Sequence, residues 1–175
     1  MRVYKLAGLM IAASVLSGCA TLDGLGGKSV SPDQAYLKTS ARLPGTVVMP
    51  GVQYRVLKSG PETGVNPKLS DDVTVHYEGR LVNGEVFDSS FKRGAPSTFP
   101  LKKLIPGWEV AVRMMRPGDE WEIVIPSDMA YGSLVRGPIP ANSTLIFRIQ
   151  LISAQAPAPE GKPEAKPETK PAAKK

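Results

Sequence analysis

The stretch VTVHYEGRLVNGEVF, residues 73–87, combines an alternating strand pattern with a tight-turn signal. Apolar and polar side chains alternate over residues 73–78, which is typical of a strand that buries one face. Asn83-Gly84 is a strong hairpin signal, because both residue types accept the positive φ angles of a two-residue turn. The stretch therefore predicts an antiparallel hairpin whose second strand runs over residues 85–87.

Three further strands and one helix are predicted around this hairpin. Alternating or apolar runs predict the strands, and the helix candidate has Pro106 in its first turn and Pro117-Gly118 after its end. In chain order the additional segments are strand 52–56, helix 103–115, strand 121–125 and strand 144–152. This order predicts an α+β fold in which an antiparallel five-stranded sheet wraps on one short helix.

The N-terminal region has the composition of an export signal. Residues 1–18 begin with a basic segment and continue with an apolar run that is too short to span a bilayer, which predicts a signal peptide. The sequence Leu16-Ser17-Gly18-Cys19 resembles a bacterial lipobox, which implies that Cys19 is lipidated and anchors the chain to a membrane. The alternative is an ordinary signal peptide in which this cysteine is accidental.

The middle of the chain is predicted to form one domain between two irregular segments. Residues 19–50 are rich in Gly, Ser, Pro and Thr and are predicted to be a flexible tether, with one short helix over 33–41 that Ser31 caps. Residues 51–153 carry the strand and helix patterns and form the domain. Residues 154–175 contain no Val, Ile, Leu or aromatic residue, which predicts a disordered tail rich in Pro, Lys, Glu and Ala.

The net charge of +6 is not a nucleic-acid signal, because the excess lies near the ends of the chain. Residues 45–153 contain 12 Lys and Arg against 11 Asp and Glu. A duplex-binding domain would concentrate its positive charge on one element. No nucleic-acid partner is therefore expected.

Several kinds of catalytic site are excluded by residue type. One Cys and one His cannot form a disulfide or a zinc site. The chain also lacks a Gly-x-Ser-x-Gly nucleophile motif and both standard Gly-rich phosphate loops. His76 alternates with apolar neighbours and is predicted to lie on the polar face of its strand. Neither a metal ion nor a cofactor is expected.

Bulky apolar residues are concentrated beside prolines and glycines. They occur in Phe99-Pro100, Ile105-Pro106-Gly107-Trp108, Ala130-Tyr131-Gly132 and Ile139-Pro140. Rings held on rigid turns favour a preformed concave pocket. The alternative is that these residues are simply part of the core.

Five motifs occur in a fixed order over about 100 residues of the chain. They are Val75-His76-Tyr77-Glu78-Gly79, Gly84-x-x-Phe87-Asp88-Ser89-Ser90, Ile105-Pro106-Gly107-Trp108, Ala130-Tyr131-Gly132 and Ile139-Pro140-Ala141-Asn142-Ser143-Thr144-Leu145. In order and spacing they resemble the FKBP-type peptidyl-prolyl cis-trans isomerases, most closely the members from the bacterial envelope.

This resemblance implies a prolyl pocket and assigns its residues. Trp108 is expected to form the floor, and Asp88 is expected to pair with Tyr77 and Arg93. The catalytic residues implied are Tyr77, Phe87, Asp88 and Tyr131, and the substrate-binding residues implied are Arg93, Phe99, Leu104, Ile105, Trp108, Ile139 and Phe147. An alternative role for Asp88 is to cap a turn together with Ser89 and Ser90.

The resemblance further implies an enzyme that isomerises X–Pro bonds in exported proteins. The expected partners are unfolded or nascent proteins that contain proline, with the macrolide inhibitors of the family as further ligands. The lipid on Cys19 implies an outer membrane location facing the periplasm, and a monomer is expected. Two alternatives remain, namely a chaperone-like binding module with weak turnover in the same cleft, and a structural envelope lipoprotein that works through its basic tail.

Overall fold

Seven strands and three short helices make up the part of the chain that the structure describes. The structure is a computed structural model, and it describes residues 30–157. Its strands are β1 (Thr46–Met49), β2 (Val52–Lys58), β3 (Asp72–Leu81), β4 (Val86–Ser89), β5 (Ser97–Pro100), β6 (Glu120–Ile125) and β7 (Leu145–Gln155). The helices are α1 (Pro32–Ser40), α2 (Ser90–Arg93) and α3 (Pro106–Val112), and single 3₁₀ turns occupy Leu101–Lys103 and Ser127–Met129.

The hairpin predicted over residues 73–87 is confirmed. Strands β3 and β4 pair antiparallel, and burial alternates residue by residue along all of β3. In the turn, Gly84 has a φ of 88°, which favours glycine. The backbone N–H of Glu85 donates to the Asn83 side-chain oxygen at 2.9 Å, which closes the turn.

All strands belong to one antiparallel sheet, which confirms the α+β class. The strand order is β1-β2-β6-β7-β3-β4, and β5 also pairs with β3. The sheet therefore has seven strands rather than the five predicted. The two strands that the prediction missed, β1 and β5, have four residues each, which is too short to show an alternating pattern.

The predicted helix over 103–115 is present but shorter. Leu101–Lys103 is a 3₁₀ turn, and α3 begins only at Pro106, whose missing N–H is tolerated in a first turn. After Val112 the backbone leaves the α-helical pattern. The Asn66 side chain donates to the carbonyls of Met114 and Met115 at 2.9 Å each. Helix α3 buries Trp108, Ala111 and Val112 in the main hydrophobic core.

The segment predicted as a flexible tether contains the predicted short helix and, in addition, a strand that was not expected. Helix α1 was expected, and Ser31 caps it by accepting a hydrogen bond from the Gln34 N–H at 3.2 Å. Strand β1 pairs with β2, and the hydroxyl of Ser40 donates to the buried Gln53 side chain at 2.6 Å. The ordered domain therefore begins before residue 51, and it continues through Gln155 rather than ending at residue 153.

Several predictions concern residues that lie outside the described part of the chain. These are the signal peptide over 1–18, the lipidation of Cys19 and nearly all of the tail over 154–175. Within residues 30–157, no helix is long and apolar enough to cross a membrane.

Besides the contacts of Gln53 with α1, one hydrogen bond of much longer range joins this helix to the domain, and it leads to a stability prediction. The half-buried Asp33 carboxylate accepts from the backbone N–H of Thr144, which is only 1% exposed. Asp33→Ala is expected to lower the free energy of unfolding by about 1–3 kcal/mol, because the buried N–H loses its acceptor. Urea denaturation measures the change. Glu85→Ala removes an exposed carboxylate and should change it by no more than about 0.5 kcal/mol; equal changes would contradict the contact.

Candidate functional site: an aromatic cavity beside helix α3

A cavity of about 570 Å³ lies beside the first turn of α3. Four strands, the segment that leads into α3, and the loop between β6 and β7 all contribute to its wall. The lining residues are Tyr77, Phe87, Asp88, Phe99, Lys103, Leu104, Ile105, Pro106, Trp108, Ala130, Tyr131, Leu134, Arg136 and Phe147. The wall is mainly apolar and aromatic, as is typical of a site for a small apolar group.

Trp108 is at the centre of a continuous set of edge-to-face aromatic contacts. Its ring centroid lies 5.6 Å from that of Tyr77 and 5.3 Å from that of Phe147. Phe87 packs on Phe147 at 5.6 Å, and Phe99 packs on Tyr77 at 5.9 Å. Edge-to-face pairs at these distances are attractive beyond the area that they bury, so the rings hold one another in place.

The first turn of α3 determines the position of Trp108. Gly107 lies so close to β6 that an added Cβ would be 2.4 Å from the Ile125 side chain. This close approach lets the helix pack tightly against the sheet and leaves the Trp108 side chain only 4% exposed. The sequence Pro106-Gly107-Trp108 therefore starts the helix, lets it pack closely and supplies the cavity wall.

Three polar side chains from different elements meet at one edge of the cavity. The Tyr77 hydroxyl donates to one carboxylate oxygen of Asp88, and the Arg93 guanidinium donates to the other. Arg93 also donates to the Tyr77 oxygen at 3.1 Å and to the Ser97 hydroxyl at 3.3 Å. We call Tyr77, Asp88 and Arg93 the polar triad.

The polar triad favours an ionised Asp88 and a neutral Tyr77. Burial alone would raise the pKa of Asp88, but the hydrogen bonds from Tyr77 and Arg93 outweigh it and hold that pKa below its ordinary value of 3.8. Burial, followed by the hydrogen bond to Asp88, raises the pKa of Tyr77 above 10.0. The hydrogen bonds to Tyr77 and Asp88 raise the pKa of Arg93.

Asp88 does not cap helix α2. The residue that caps α2 is Ser89, whose hydroxyl accepts from the Lys92 N–H at 3.3 Å. Ser90 is fully buried, and its hydroxyl accepts from the Tyr77 N–H at 2.7 Å. Asp88 instead faces the cavity, while the two serines secure the backbone around it.

Besides the Trp108 indole N–H and the two cationic side chains of the lining, two hydrogen-bond donors in the cavity wall have no acceptor within residues 30–157. The backbone N–H of Ile105 precedes α3 and has no acceptor in this part of the chain, and the Tyr131 hydroxyl has no hydrogen-bond partner there either. A polar group that is partly buried without a partner is available to a ligand. The cavity can thus accept an apolar ring and offer donors to the carbonyl groups beside it.

Most of the residues predicted for the site line the cavity, and two do not. Arg93 lies at its edge, where it contacts Tyr77 and Asp88. Ile139 is 6% exposed and packs in the hydrophobic core instead. The prediction missed the lining residues Lys103, Pro106, Ala130, Leu134 and Arg136. Pro106 and Ala130 belong to motifs already quoted, whereas the other three carry no local signal.

The sole histidine is outside the cavity wall. His76 is half-buried on β3, stacks on Phe91 with ring centroids 4.9 Å apart, and has its Nδ1 atom 3.1 Å from the Ser90 hydroxyl. No group of three or more His, Cys, Asp or Glu side chains within residues 30–157 could hold a metal ion.

The fold and the cavity define a class of small α+β domains that bind an apolar ring in a preformed aromatic pocket. Residues 64–152 match the family model described as FKBP-type peptidyl-prolyl cis-trans isomerase, which is about half of the chain. The chain belongs to this family of isomerases.

Individual relatives and solved structures agree with this assignment. The chain is 49% identical to the peptidyl-prolyl cis-trans isomerase Mip of Coxiella burnetii over 70% of its length, and 48% identical to the outer membrane protein MIP of Legionella longbeachae over 71%. It covers 53% of each of these two relatives, so it spans about half of their length.

The crystal structure of FkpA from Escherichia coli matches with a TM-score of 0.68 and 36% identity, covering 71% of this chain and 58% of that one. A peptidyl-prolyl cis-trans isomerase from Pseudomonas syringae pv. tomato matches with a TM-score of 0.65 and 34% identity, covering 71% and 92% respectively.

Proposed function

We propose that this chain catalyses cis–trans isomerisation of X–Pro bonds in protein substrates. The observation that carries the proposal is the cavity itself, which has Trp108 packed between Tyr77 and Phe147 and unused donors at Ile105 and Tyr131. A prolyl ring fits an aromatic wall, and the amide carbonyls beside the ring need donors. Membership of the isomerase family supports the same reaction.

The reaction requires no bond cleavage, which agrees with a site built from rings and hydrogen-bond donors. Rotation about a peptide bond costs about 18–20 kcal/mol because amide resonance is lost. The twisted amide has less charge separation than the planar amide. A dry aromatic cavity therefore disfavours the planar ground state relative to the transition state, and each ~1.36 kcal/mol of that difference changes the rate tenfold.

Within this mechanism, each group in the wall has a distinct role. Phe87, Trp108 and Phe147 hold the prolyl ring and exclude water. The Ile105 N–H and the Tyr131 hydroxyl bind the carbonyl groups that flank the rotating bond. Asp88 orients Tyr77 and contributes a fixed charge, and it does not act as a base.

A protease-free isomerisation assay on the full chain tests the proposal. The rate of cis-to-trans exchange in a short proline peptide is followed by NMR or by fluorescence, with and without the protein. We expect a catalysed rate that is proportional to protein concentration. A folded protein that leaves the exchange rate unchanged would reject the proposed activity.

The pH dependence of turnover follows from the polar triad. Because the pKa of Asp88 lies below its ordinary value of 3.8, the carboxylate is ionised above pH 3.8 and contributes fully to turnover there. This contribution is lost as the pH falls through the lower pKa of the folded protein. Because the pKa of Tyr77 is raised, its neutral form persists through pH 10 and is lost only above it. Turnover is therefore expected to be flat from about pH 5 to 9 and to fall below about pH 4. A transition between pH 6 and 8 would contradict this assignment.

We further propose that the chain works in the bacterial envelope on exported proteins. The support is the lipobox-like Leu16-Ser17-Gly18-Cys19 and the similarity to a relative named as an outer membrane protein. Lipid chains on Cys19 anchor the protein, since each buried CH₂ contributes about 0.8 kcal/mol. The proposed site of action is the periplasmic side of the outer membrane.

Cys19→Ser provides the test of the lipid anchor. The variant is expected to appear in the aqueous phase of a detergent partition, whereas the unaltered protein enters the detergent phase. Isomerase activity should be the same in both, because residue 19 lies outside residues 64–152, which match the isomerase family model. A processed Ser variant that still enters the detergent phase would reject lipidation at this residue.

A chaperone-like binding module remains the second candidate function. Leu134 is 60% exposed and Val135 is 68% exposed on the loop that borders the cavity. Exposed apolar side chains next to a pocket favour contact with unfolded chains. Binding of this kind adds to isomerisation, and the substitution Asp88→Asn separates the two functions.

A further inference from the structure

We propose that the mouth of the cavity selects substrates that carry an acidic side chain next to the prolyl bond. The inference rests on the proposed function and concerns Lys103 and Arg136, which we call the cationic rim. Both side chains line the cavity and are exposed. Neither forms an ion pair within residues 30–157.

The charges around the cavity do not balance. Asp88 is the only carboxylate in the lining, and Arg93 already pairs with it. The cationic rim therefore contributes two positive charges that no side chain in the described part of the chain neutralises. A negatively charged group on a bound substrate could therefore interact with Lys103 and Arg136 without breaking an ion pair within the protein.

Arg136 is held near the mouth by its loop. Its N–H and carbonyl both pair with Ile139, at 3.0 and 2.9 Å, which closes a tight turn over Gly137-Pro138. Its guanidinium carbon lies 5.8 Å from the centre of the Tyr131 ring, within the range of a cation–π contact. The charge is thus placed over the ring that carries the Tyr131 hydroxyl, one of the two unused donors.

Lys103 lines the cavity from the segment that leads into α3, whereas Arg136 lines it from the loop between β6 and β7. Lys103 ends the 3₁₀ turn Leu101–Lys103, in which the Leu104 N–H donates to the Leu101 carbonyl at 3.1 Å. Two residues further along the chain is Ile105, whose N–H is the second unused donor. Each cation of the rim therefore lies on the same segment of the cavity wall as one of the donors that would hold the amide.

The expected preference is modest, because both side chains are solvated. Ion pairs between exposed side chains are weak and are screened by salt. An acidic residue beside proline should therefore raise kcat/KM by roughly two- to fivefold over its uncharged analogue. A two- to fivefold difference in kcat/KM is large enough to measure, and it is small enough that peptides without an acidic residue remain substrates.

The test uses the full chain and two matched pairs of peptides. One pair has Glu or Gln directly before proline, and the other has Glu or Gln directly after it. At about 0.01 M salt we expect Glu to exceed Gln in kcat/KM by roughly two- to fivefold at one or both positions. At about 1 M salt, where the Debye length is about 3 Å, the ratio should approach one.

Three variants test whether the preference for Glu over Gln comes from the cationic rim. The double variant Lys103→Gln/Arg136→Gln should lose the Glu-to-Gln ratio, whereas Arg136→Lys, which keeps the charge, should retain it. Arg113→Gln is the matched control, because it removes an exposed cation from outside the cavity lining. It should retain the ratio of the unaltered protein.

Two results would overturn the inference. One is an equal kcat/KM for Glu and Gln at both positions, and the other is a ratio that Arg113→Gln reduces as much as the double variant does. Absence of isomerisation for every peptide would instead reject the proposed function. In that case the Kd ratio of the same peptide pairs, measured from NMR shifts, still decides whether the rim selects acidic residues.

Discussion

Gly79→Ala is expected to lower kcat/KM for a proline peptide by at least about tenfold, which corresponds to about 1.4 kcal/mol of transition-state stabilisation. Gly79 lies on β3 beneath two rings of the cavity wall. A Cβ at this position would be 2.5 Å from two ring atoms of Phe87 and 2.7 Å from the ring of Phe147. Both rings must move to admit the methyl group, and they are the rings proposed to hold the substrate.

The same substitution should also destabilise the fold. Adding a methyl group to a well-packed region typically lowers the free energy of unfolding by about 1–3 kcal/mol. Turnover must therefore be measured well below the melting temperature, on protein whose folding has been checked by circular dichroism. The stability loss alone would not explain a tenfold drop in a protein that remains folded.

Gly84→Ala is the matched control for this substitution. Gly84 has a φ of 88° in the β3–β4 turn, so alanine is strained there, yet its Cβ would have no atom within 4 Å. The control should lose stability through backbone strain while keeping its turnover. If both variants lose turnover equally, the effect comes from general destabilisation and the role assigned to the Phe87 and Phe147 rings is wrong.

Asp88→Asn is expected to reduce turnover by about tenfold or more while changing peptide or client binding by less than twofold. Asparagine keeps the size of the side chain but removes the charge that Tyr77 and Arg93 contact. The apolar wall, which provides most of the binding surface, is unchanged. A loss confined to turnover would indicate that the charge matters mainly in the transition state.

Two measurements on one preparation separate the enzyme from the binding module. Turnover is measured with a proline peptide, and binding is measured through suppression of the aggregation of an unfolded protein. Glu78→Gln is the matched control, because Glu78 is a neighbouring carboxylate on β3 that does not line the cavity. Unchanged turnover in Asp88→Asn would leave the aromatic wall alone as the source of catalysis, and equal losses in both assays would indicate collapse of the site.

Local sequence patterns predicted much of the fold because they arise from neighbouring residues. The alternation along β3 and the Asn83-Gly84 turn each depend on a few consecutive side chains, and both were confirmed. Ser31 likewise marked the start of α1. Strands β1 and β5 were missed because their four residues are too short for a periodic signal; β4 is equally short and was predicted from the turn that precedes it.

The aromatic residues of the cavity were recognisable in the sequence for a different reason. Phe99, Trp108 and Tyr131 lie beside Pro or Gly, which hold the backbone in turns. The motifs and their order supplied the family resemblance. Ile139 met the same criterion but packs in the core, because a residue beside a turn can face either side of the chain.

The sequence by itself determined five of the seven strands, the hairpin turn, the presence of α3 with Pro106 in its first turn, and the residues able to form an aromatic pocket. The family resemblance already implied that Asp88 pairs with Tyr77 and Arg93, whereas only the tertiary structure decided that Asp33 accepts a hydrogen bond from Thr144. Only it placed Lys103 and Arg136 at the same mouth. The physical reason is distance along the chain: secondary structure follows from the φ and ψ preferences and polarity of adjacent residues, whereas these contacts depend on strand register and on how α3 packs against the sheet.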